Sequence, residues 1–437
     1  MKKAIIAALI VIPSFVWAQE PWSLEQCVEY ALQNNLQVKQ QELNVRSSES
    51  ELKRSRESLL PTLNLTGNHS YSKYPFADSS NWFRSTSLSL SSSVTLFDGL
   101  QNINTIKQNQ YDLKASYANI EKIKNDIALA VASSYLQILY QLELVEVSKK
   151  QLSLTQMQVD RTKKLYEAGS IPEGTLLEVE ALQASDELQL VNALNQLDIA
   201  YLNLTQLLEI KNPEGFGIQK PILPEVDSST LVLNAREIYF NAETRMPQIL
   251  GSQFGVNSAE VGLKMAKGLY LPQLSLNASL GSNASKLFTD NPLLTPDPFF
   301  TQIKNNANAS VGLSLRIPIF NGGSTKNRVT LAKISLDRAH LNLETEKNSL
   351  YKDIQQATAD AVASQKRQKA AYKNKVANEE SLRYSENKFN VGLITAFDYT
   401  TARNKYSKAE TDLLQAKYEF LFKLKILDFY KGVPLKL

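Results

Sequence analysis

The chain has 437 residues, a formal net charge of +4 and a hydrophobic fraction of 43%. Setting aside Lys2 and Lys3 leaves a near-neutral charge, which gives no basis for nucleic-acid binding, and the single cysteine, Cys27, excludes internal disulfides. No glycine-rich phosphate loop, nucleophile elbow or metal-ligand cluster occurs, and His69 and His340 have no ligand partner at suitable spacing, so the reading is a non-enzyme with no cofactor.

Residues 1–18 read as a secretory signal peptide: Lys2 and Lys3, then an apolar run from Ala4 to Val16, then cleavage after Ala18. Cys27 lies too far beyond that point for a lipoprotein anchor and reads as a small buried residue on a helix face. No other stretch approaches the ~20 apolar residues of a membrane helix, so any crossing of a bilayer falls to β-strands.

Residues 19–210 form the first of two predicted structural repeats. Ser23 to Leu59 reads as one helix that opens on a Ser23/Gln26 capping box, keeps Leu24, Cys27, Ala31, Val38 and Val45 on one side, and ends at Pro61. A β-hairpin follows over 61–97. In it Leu63, Leu65, Gly67, His69 and Tyr71 alternate with Thr62, Asn64, Thr66, Asn68 and Ser70, and Leu88, Leu90, Ser92, Val94 and Leu96 alternate with serines and Thr95, the period of a half-buried strand. Residues 74–82 are the loop between them. A long helical hairpin over 100–209 follows. Its first helix has a heptad seam rich in small residues, including Ile127, Ser134, Ile138, Gln141, Val145, Ser148, Thr155, Val159 and Thr162. It runs without Pro or Gly to Ala168, on the order of 100 Å at ~1.5 Å per residue. Gly169 stops it, and Pro172 starts the return helix.

An irregular linker over 211–232 holds Pro213, Pro221 and Pro224. The second predicted repeat, 233–430, has the same order: a helix over Asn234–Gly268 with Pro247 early in it or capping its main part, a β-hairpin over 272–320, and a helical hairpin over 323–430, before a tail at 431–437. Phe97-Asp98-Gly99 recurs 223 residues on as Phe320-Asn321-Gly322, and the Tyr166–Ile171 turn recurs at the same spacing as Phe389–Ile394. Leu60-Pro61-Thr62-Leu63 recurs as Leu271-Pro272-Gln273-Leu274 at a spacing of 211, so the second hairpin is twelve residues longer.

Each repeat thus offers two strands of bilayer-spanning length with one apolar and one Ser/Thr/Asn face. Four strands cannot close a barrel, and an open edge in lipid leaves backbone groups unpaired. The fold class is therefore a mixed α/β membrane protein with long α-helical hairpins, four β-strands per chain entering a shared transmembrane β-barrel, and an internal tandem repeat. The alternative on these residues is a soluble β-sandwich with coiled-coil arms.

The duplication, the two helix-to-strand corners, the two strand-to-helix corners, the two Tyr/Phe-x-x-Gly-x-Ile tips and the opening stretch Ser23–Asn35 together resemble the TolC-like outer-membrane efflux family across the mature chain. The resemblance implies a homotrimer in outer-membrane lipid, with the long α-helical hairpins forming a periplasmic α-barrel. It also implies passive export, energised by an inner-membrane transporter of RND or ABC type through a periplasmic adaptor. It places the adaptor contact at the helix-hairpin tips Gly169, Ser170, Ile171, Gly392, Leu393 and Ile394, and the periplasmic aperture at Asp398, Thr401, Thr175, Glu178 and Phe389. The family often has an acidic residue six positions after the tip glycine, here Asp398; a second acidic position falls on Thr401, and an arginine that latches the family prototype falls on Ile394. Asp398 also reads as an ordinary first-turn aspartate favoured by the helix dipole. Two other functions remain open: the outer component of type I polypeptide secretion, and a periplasmic coiled-coil protein without a pore.

Overall fold

The computed structural model describes residues 21–73, 82–221, 233–288 and 297–434. The predicted signal peptide with Ala18, residues 74–81 of the first predicted hairpin loop, linker residues 222–232 and residues 289–296 of the second predicted hairpin lie outside the described residues, as does the end of the tail. The chain falls into two compact units.

One unit comprises Gln41–Lys122 and Thr244–Ser349 and holds the sheet. Its strands are β1 (Thr62–Lys73), β2 (Trp82–Phe97), β3 (Gln273–Leu287) and β4 (Asn308–Arg316), antiparallel in the order β1-β2-β3-β4. The register makes one face continuous. Leu65 faces Leu90, which faces Leu280, while Val94 faces Leu276, which faces Leu313. The opposite face is polar over most of its length: Asn64 pairs with Ser91, Ser91 with Ser279, and Ser279 with Ser310, whose hydroxyl lies 2.8 Å away, while Phe83 and Leu287 pair on it at the outer end. Among the described residues, both edges, β1 and β4, lack a strand neighbour. Leu96 is the extra residue of a bulge between Thr95 and Phe97, so Phe97 rather than Leu96 stands opposite Leu274. β4 stops at Arg316, short of the expected Ile319, and Pro318 follows within two residues.

The outer part of the second hairpin contains a helix, α7 (Phe299–Asn305). β4 pairs with β3 only as far as Gly281. Beyond it, α7 takes over the exposed edge: Ser285 N donates to Gln302 Oε1 (2.8 Å) and Asn306 Nδ2 to Asn283 O (2.7 Å).

Two helices that the sequence predicts as continuous are each broken. Ser23–Leu59 divides into α1 (Leu24–Asn34) and α2 (Leu36–Glu57) at Asn35, whose backbone is extended. Its amide oxygen accepts from Gln37 N (2.8 Å), starting α2, and its amide nitrogen donates to Leu207 O (3.0 Å). Asn234–Gly268 divides into α5 (Ala235–Glu243) and α6 (Pro247–Gly268), with Pro247 in the first turn of α6, where its missing N–H costs nothing. α3 (Gln101–Glu167) and α8 (Ser324–Asn390) have 67 residues each. They return through α4 (Glu173–Leu207) and α9 (Ala396–Lys431).

Asp98 and Asn321 begin α3 and α8 in the same way, each side chain accepting from the backbone N–H four residues on. The glycine after each, Gly99 and Gly322, has a positive φ (71° and 64°).

The other unit comprises Met1–Gln40, Ile123–Glu243 and Leu350–Leu437. Its core gathers Leu24, Cys27, Ala31, Ile127, Val131, Tyr135, Ile138, Leu139, Leu204, Ile218 and Leu421. Cys27 is fully buried, as expected, and desolvation pushes its thiol up to about 12. The described part of the linker packs here: Ile218 bridges to Trp22, and the buried Tyr135 hydroxyl donates to Gln219 O (2.6 Å). α3 is long and apolar enough to cross a membrane by length and composition, but Val131, Leu136, Ile138 and Leu139 within it are buried in this core.

Between α8 and α9, Lys423 Nζ lies 2.8 Å from Asp360 Oδ2. That hydrogen bond holds the Asp360 carboxyl below the usual carboxylate range. The stability so gained is present above the unfolded value of about 3.9 and is lost as pH falls through the lower folded value. Asp360→Asn is therefore expected to lower the melting temperature at neutral pH, with the deficit vanishing in strong acid. A deficit independent of pH would contradict the assignment.

Candidate functional site

Both tips are closed by one backbone device. Gly169 N donates to Tyr166 O (2.8 Å) and Ser170 N to Leu165 O (2.9 Å); Gly392 N donates to Phe389 O (3.0 Å) and Leu393 N to Lys388 O (2.8 Å). This pattern needs a left-handed residue after the helix, and Gly169 and Gly392 supply φ of 71° and 76°. The tips meet at a cleft of about 520 Å³ whose lining includes Ser170, Ile171, Thr175, Glu178, Phe389, Gly392 and Ile394. Seven of the residues expected at the tips and aperture are thus brought together. Gly169, Leu393, Asp398 and Thr401 are not in that lining.

A hydrogen bond that sequence reasoning missed joins the tips: Arg161 Nη1 donates to Asn390 Oδ1 (2.8 Å). Phe389 is half-buried and stacks on Tyr399, centroids 5.0 Å apart with 11° between planes. Val391, Leu393 and Phe397 stand exposed at 68%, 73% and 71%.

The start of α9 carries a complete capping box. Asp398 N donates to Thr395 Oγ1 (3.2 Å), and Asp398 Oδ2 accepts from the Thr395 hydroxyl (2.7 Å) and more loosely from Thr395 N (3.3 Å). The first-turn reading of Asp398 therefore has a specific hydrogen-bonding basis, and the residue remains exposed. At the 223 spacing, Pro172 and Thr175 stand for Thr395 and Asp398, and α4 starts without a side-chain cap. The two tips thus share a turn and differ in how the returning helix begins. Glu178 is exposed, and Thr175 and Thr401 are half-buried.

The seam of α3 is buried and polar at Gln141, Ser148, Thr155 and Thr162, seven residues apart. At Thr155 it meets a buried ion pair invisible to sequence reasoning. Arg403 Nη2 of α9 donates to Asp186 Oδ2 of α4 (2.7 Å) and to Gln151 O of α3 (3.0 Å). The Thr155 hydroxyl accepts from Arg403 and donates to Asp186. Among the described residues no His/Cys/carboxylate group could hold a metal ion.

A sheet with an apolar face, a polar face and two unpaired edges, on a chain with two long helical hairpins, defines a membrane-channel subunit. The chain belongs to the outer membrane efflux protein family, whose model matches residues 27–209 and 238–432. Outer membrane protein TolC of Vibrio cholerae is 22% identical over 430 residues, covering 98% of this chain and 93% of its own. Toxin and drug export protein A of Aggregatibacter actinomycetemcomitans is 24% identical over 343 residues, covering 76% and 69%. The solved structure of the outer membrane protein VceC of Vibrio cholerae aligns with a TM-score of 0.75 at 18% identity, covering 94% of this chain and 96% of that one. The protein is thus an outer-membrane channel component whose helices lie in the periplasm, and the pore-less and soluble readings fall away.

Proposed function

We propose that three copies assemble into one passive exit duct for small molecules, a β-barrel of twelve strands continued by the helical hairpins of two tandem repeats, 19–210 and 233–430. The observation that carries this reading is the sheet: four strands, both edges unpaired, apolar on one face and rich in Ser, Thr and Asn on the other. An inner-membrane transporter of RND or ABC type supplies the energy through a periplasmic adaptor. The adaptor docks at the tip residues Gly169, Ser170, Ile171, Gly392, Leu393 and Ile394, a role that the exposure of Leu393 supports. Asp398 forms a ring of three carboxylates at the aperture, flanked by Thr401, Thr175, Glu178 and Phe389, which favours cations. The name of the toxin and drug export relative keeps a second cargo class, secreted polypeptides, in view.

Conductance of the purified protein in planar bilayers tests both parts. Asp398→Asn removes the charge while its amide oxygen can still cap α9, so the channel should stay open to ions and lose severalfold in its block by multivalent cations. Unchanged selectivity and block would remove Asp398 from the aperture. No conductance from any preparation would end the duct reading.

A further inference from the structure

The lipid face of the sheet changes character at its outer end. Near the helices it is aliphatic, with Leu65, Leu90, Val94, Leu276 and Leu313. Toward the hairpin loops the same alternation brings up Lys73, Trp82, Arg84 and Lys286, with Tyr71 and Phe288. The register sets Lys73 opposite Trp82, Tyr71 opposite Arg84, and Arg84 opposite Lys286. Lys73 Nζ lies 5.9 Å from the Trp82 ring centroid and Lys286 Nζ 5.4 Å from that of Phe288. Tyr71 and Phe288 stack at 6.5 Å.

Aromatic side chains at this level are what a membrane interface selects. The cations are not explained that way. Like charges directly opposed on neighbouring strands repel. Among the described residues no carboxylate pairs with Lys73, Arg84 or Lys286, and the neighbouring positions on this face, His69, Thr86 and Ala284, bring no negative charge. Three cations held against lipid, with no described carboxylate beside them, offer a site for an anion of the lipid itself.

We infer that this patch binds the phosphate groups of an anionic lipid in the outer leaflet of the outer membrane. The Arg84 guanidinium takes phosphate oxygens in its planar fork, and Lys286 and Lys73 complete the neutralisation from the adjacent strands. The acyl chains lie along Leu88, Leu90 and Leu280 of the same face, and Trp82, Tyr71 and Phe288 mark the headgroup level.

Trp82 reports on its own surroundings once Trp22 is replaced by Phe, since of the three tryptophans Trp17 lies in the predicted signal peptide. The full-length protein is reconstituted in phosphatidylcholine vesicles containing brominated phosphatidic acid or, at equal mole fraction, brominated phosphatidylcholine. Trp82 should be quenched preferentially by phosphatidic acid, and Arg84→Gln and Lys286→Gln should each reduce that preference about fivefold. Quenching by phosphatidylcholine should not change, which confirms that the variants remain folded and inserted. Equal quenching by the two lipids, or a preference that survives both substitutions, overturns the proposal. Loss of the preference on adding inorganic phosphate to the bath would assign the patch to a soluble ion and overturn it equally.

Discussion

Gly268→Ala is expected to destabilise the protein although alanine is the better helix former. Gly268 ends α6, where the substitution favours the helix by about 1 kcal/mol. Against this, a Cβ there would stand 2.4 Å from the carbonyl oxygen of Gly99, and a Cβ on Gly99 would stand 2.3 Å from the carbonyl oxygen of Gly268. Both obstacles are backbone, so neither can rotate aside. Opening the contact means moving α6 off the strand-to-helix corner, an overpacking cost of about 1–3 kcal/mol or more. The clash is the larger effect, and a net loss of up to about 2 kcal/mol follows. Gly99→Ala adds the penalty of a left-handed residue, about 1–2 kcal/mol, and should be the more damaging of the two. Denaturant unfolding of the purified protein checks the order wild type, Gly268→Ala, Gly99→Ala. A Gly268→Ala protein as stable as the parent would mean that the contact yields easily.

The counterpart at the second corner behaves differently within one chain. Gly322 has the same left-handed backbone, yet nothing lies within 4 Å of a Cβ placed on it. In an isolated chain Gly322→Ala should cost only the backbone penalty. A loss in the assembled protein that matches Gly99→Ala is what a second copy seated against that corner would cause.

Much of this was legible because it is local. Strand alternation needs only a period of two, and the cross-strand register carried Leu65, Leu90 and Leu280 onto one face as the alternation implied. The tip turns were legible from Gly169 and Gly392, because few other residues accept the left-handed backbone. The break at Asn35 was hidden: Leu24, Cys27, Ala31 and Val38 keep helical spacing across it, and what stabilises the break is an amide reaching Leu207, 172 residues away. α7 was hidden for a related reason, since its use is to cover an edge of β3 that exists only once β4 has ended. At the candidate site, the family resemblance pointed to Asp398 through its distance from Gly392. Its bond to Thr395 could have been read from the Thr-x-x-Asp spacing of a capping box. Arg403 and Asp186 gave no such signal, because charged residues on long helices are ordinarily solvated.

That buried pair carries the largest single-site effect expected in the helical unit. The Arg403 and Asp186 side chains are 5% and 8% exposed, so each charge has exchanged water for the other and for Thr155 and Gln151. Removing one partner leaves the other charged in a dry seam, and Asp186→Ala or Arg403→Ala should each cost about 3–5 kcal/mol. The pair itself need not be stabilising relative to apolar residues of like volume, because desolvation offsets much of its attraction. Asp186→Leu combined with Arg403→Met should therefore recover most of the loss. The experiment is a double-mutant cycle read by the denaturant needed to melt the helices. Strong coupling between the two sites supports the ion pair as drawn, whereas additive losses would mean that each residue is held by something other than its partner. Because the pair ties α9 to α4 across the α3 seam, near the tips, the apolar replacement separates two roles. If the variant is stable but its conductance is altered, the buried charges contribute to how α4 and α9 are positioned at the proposed aperture and not merely to their stability. If conductance is also unchanged, their role is confined to choosing which helices pack together.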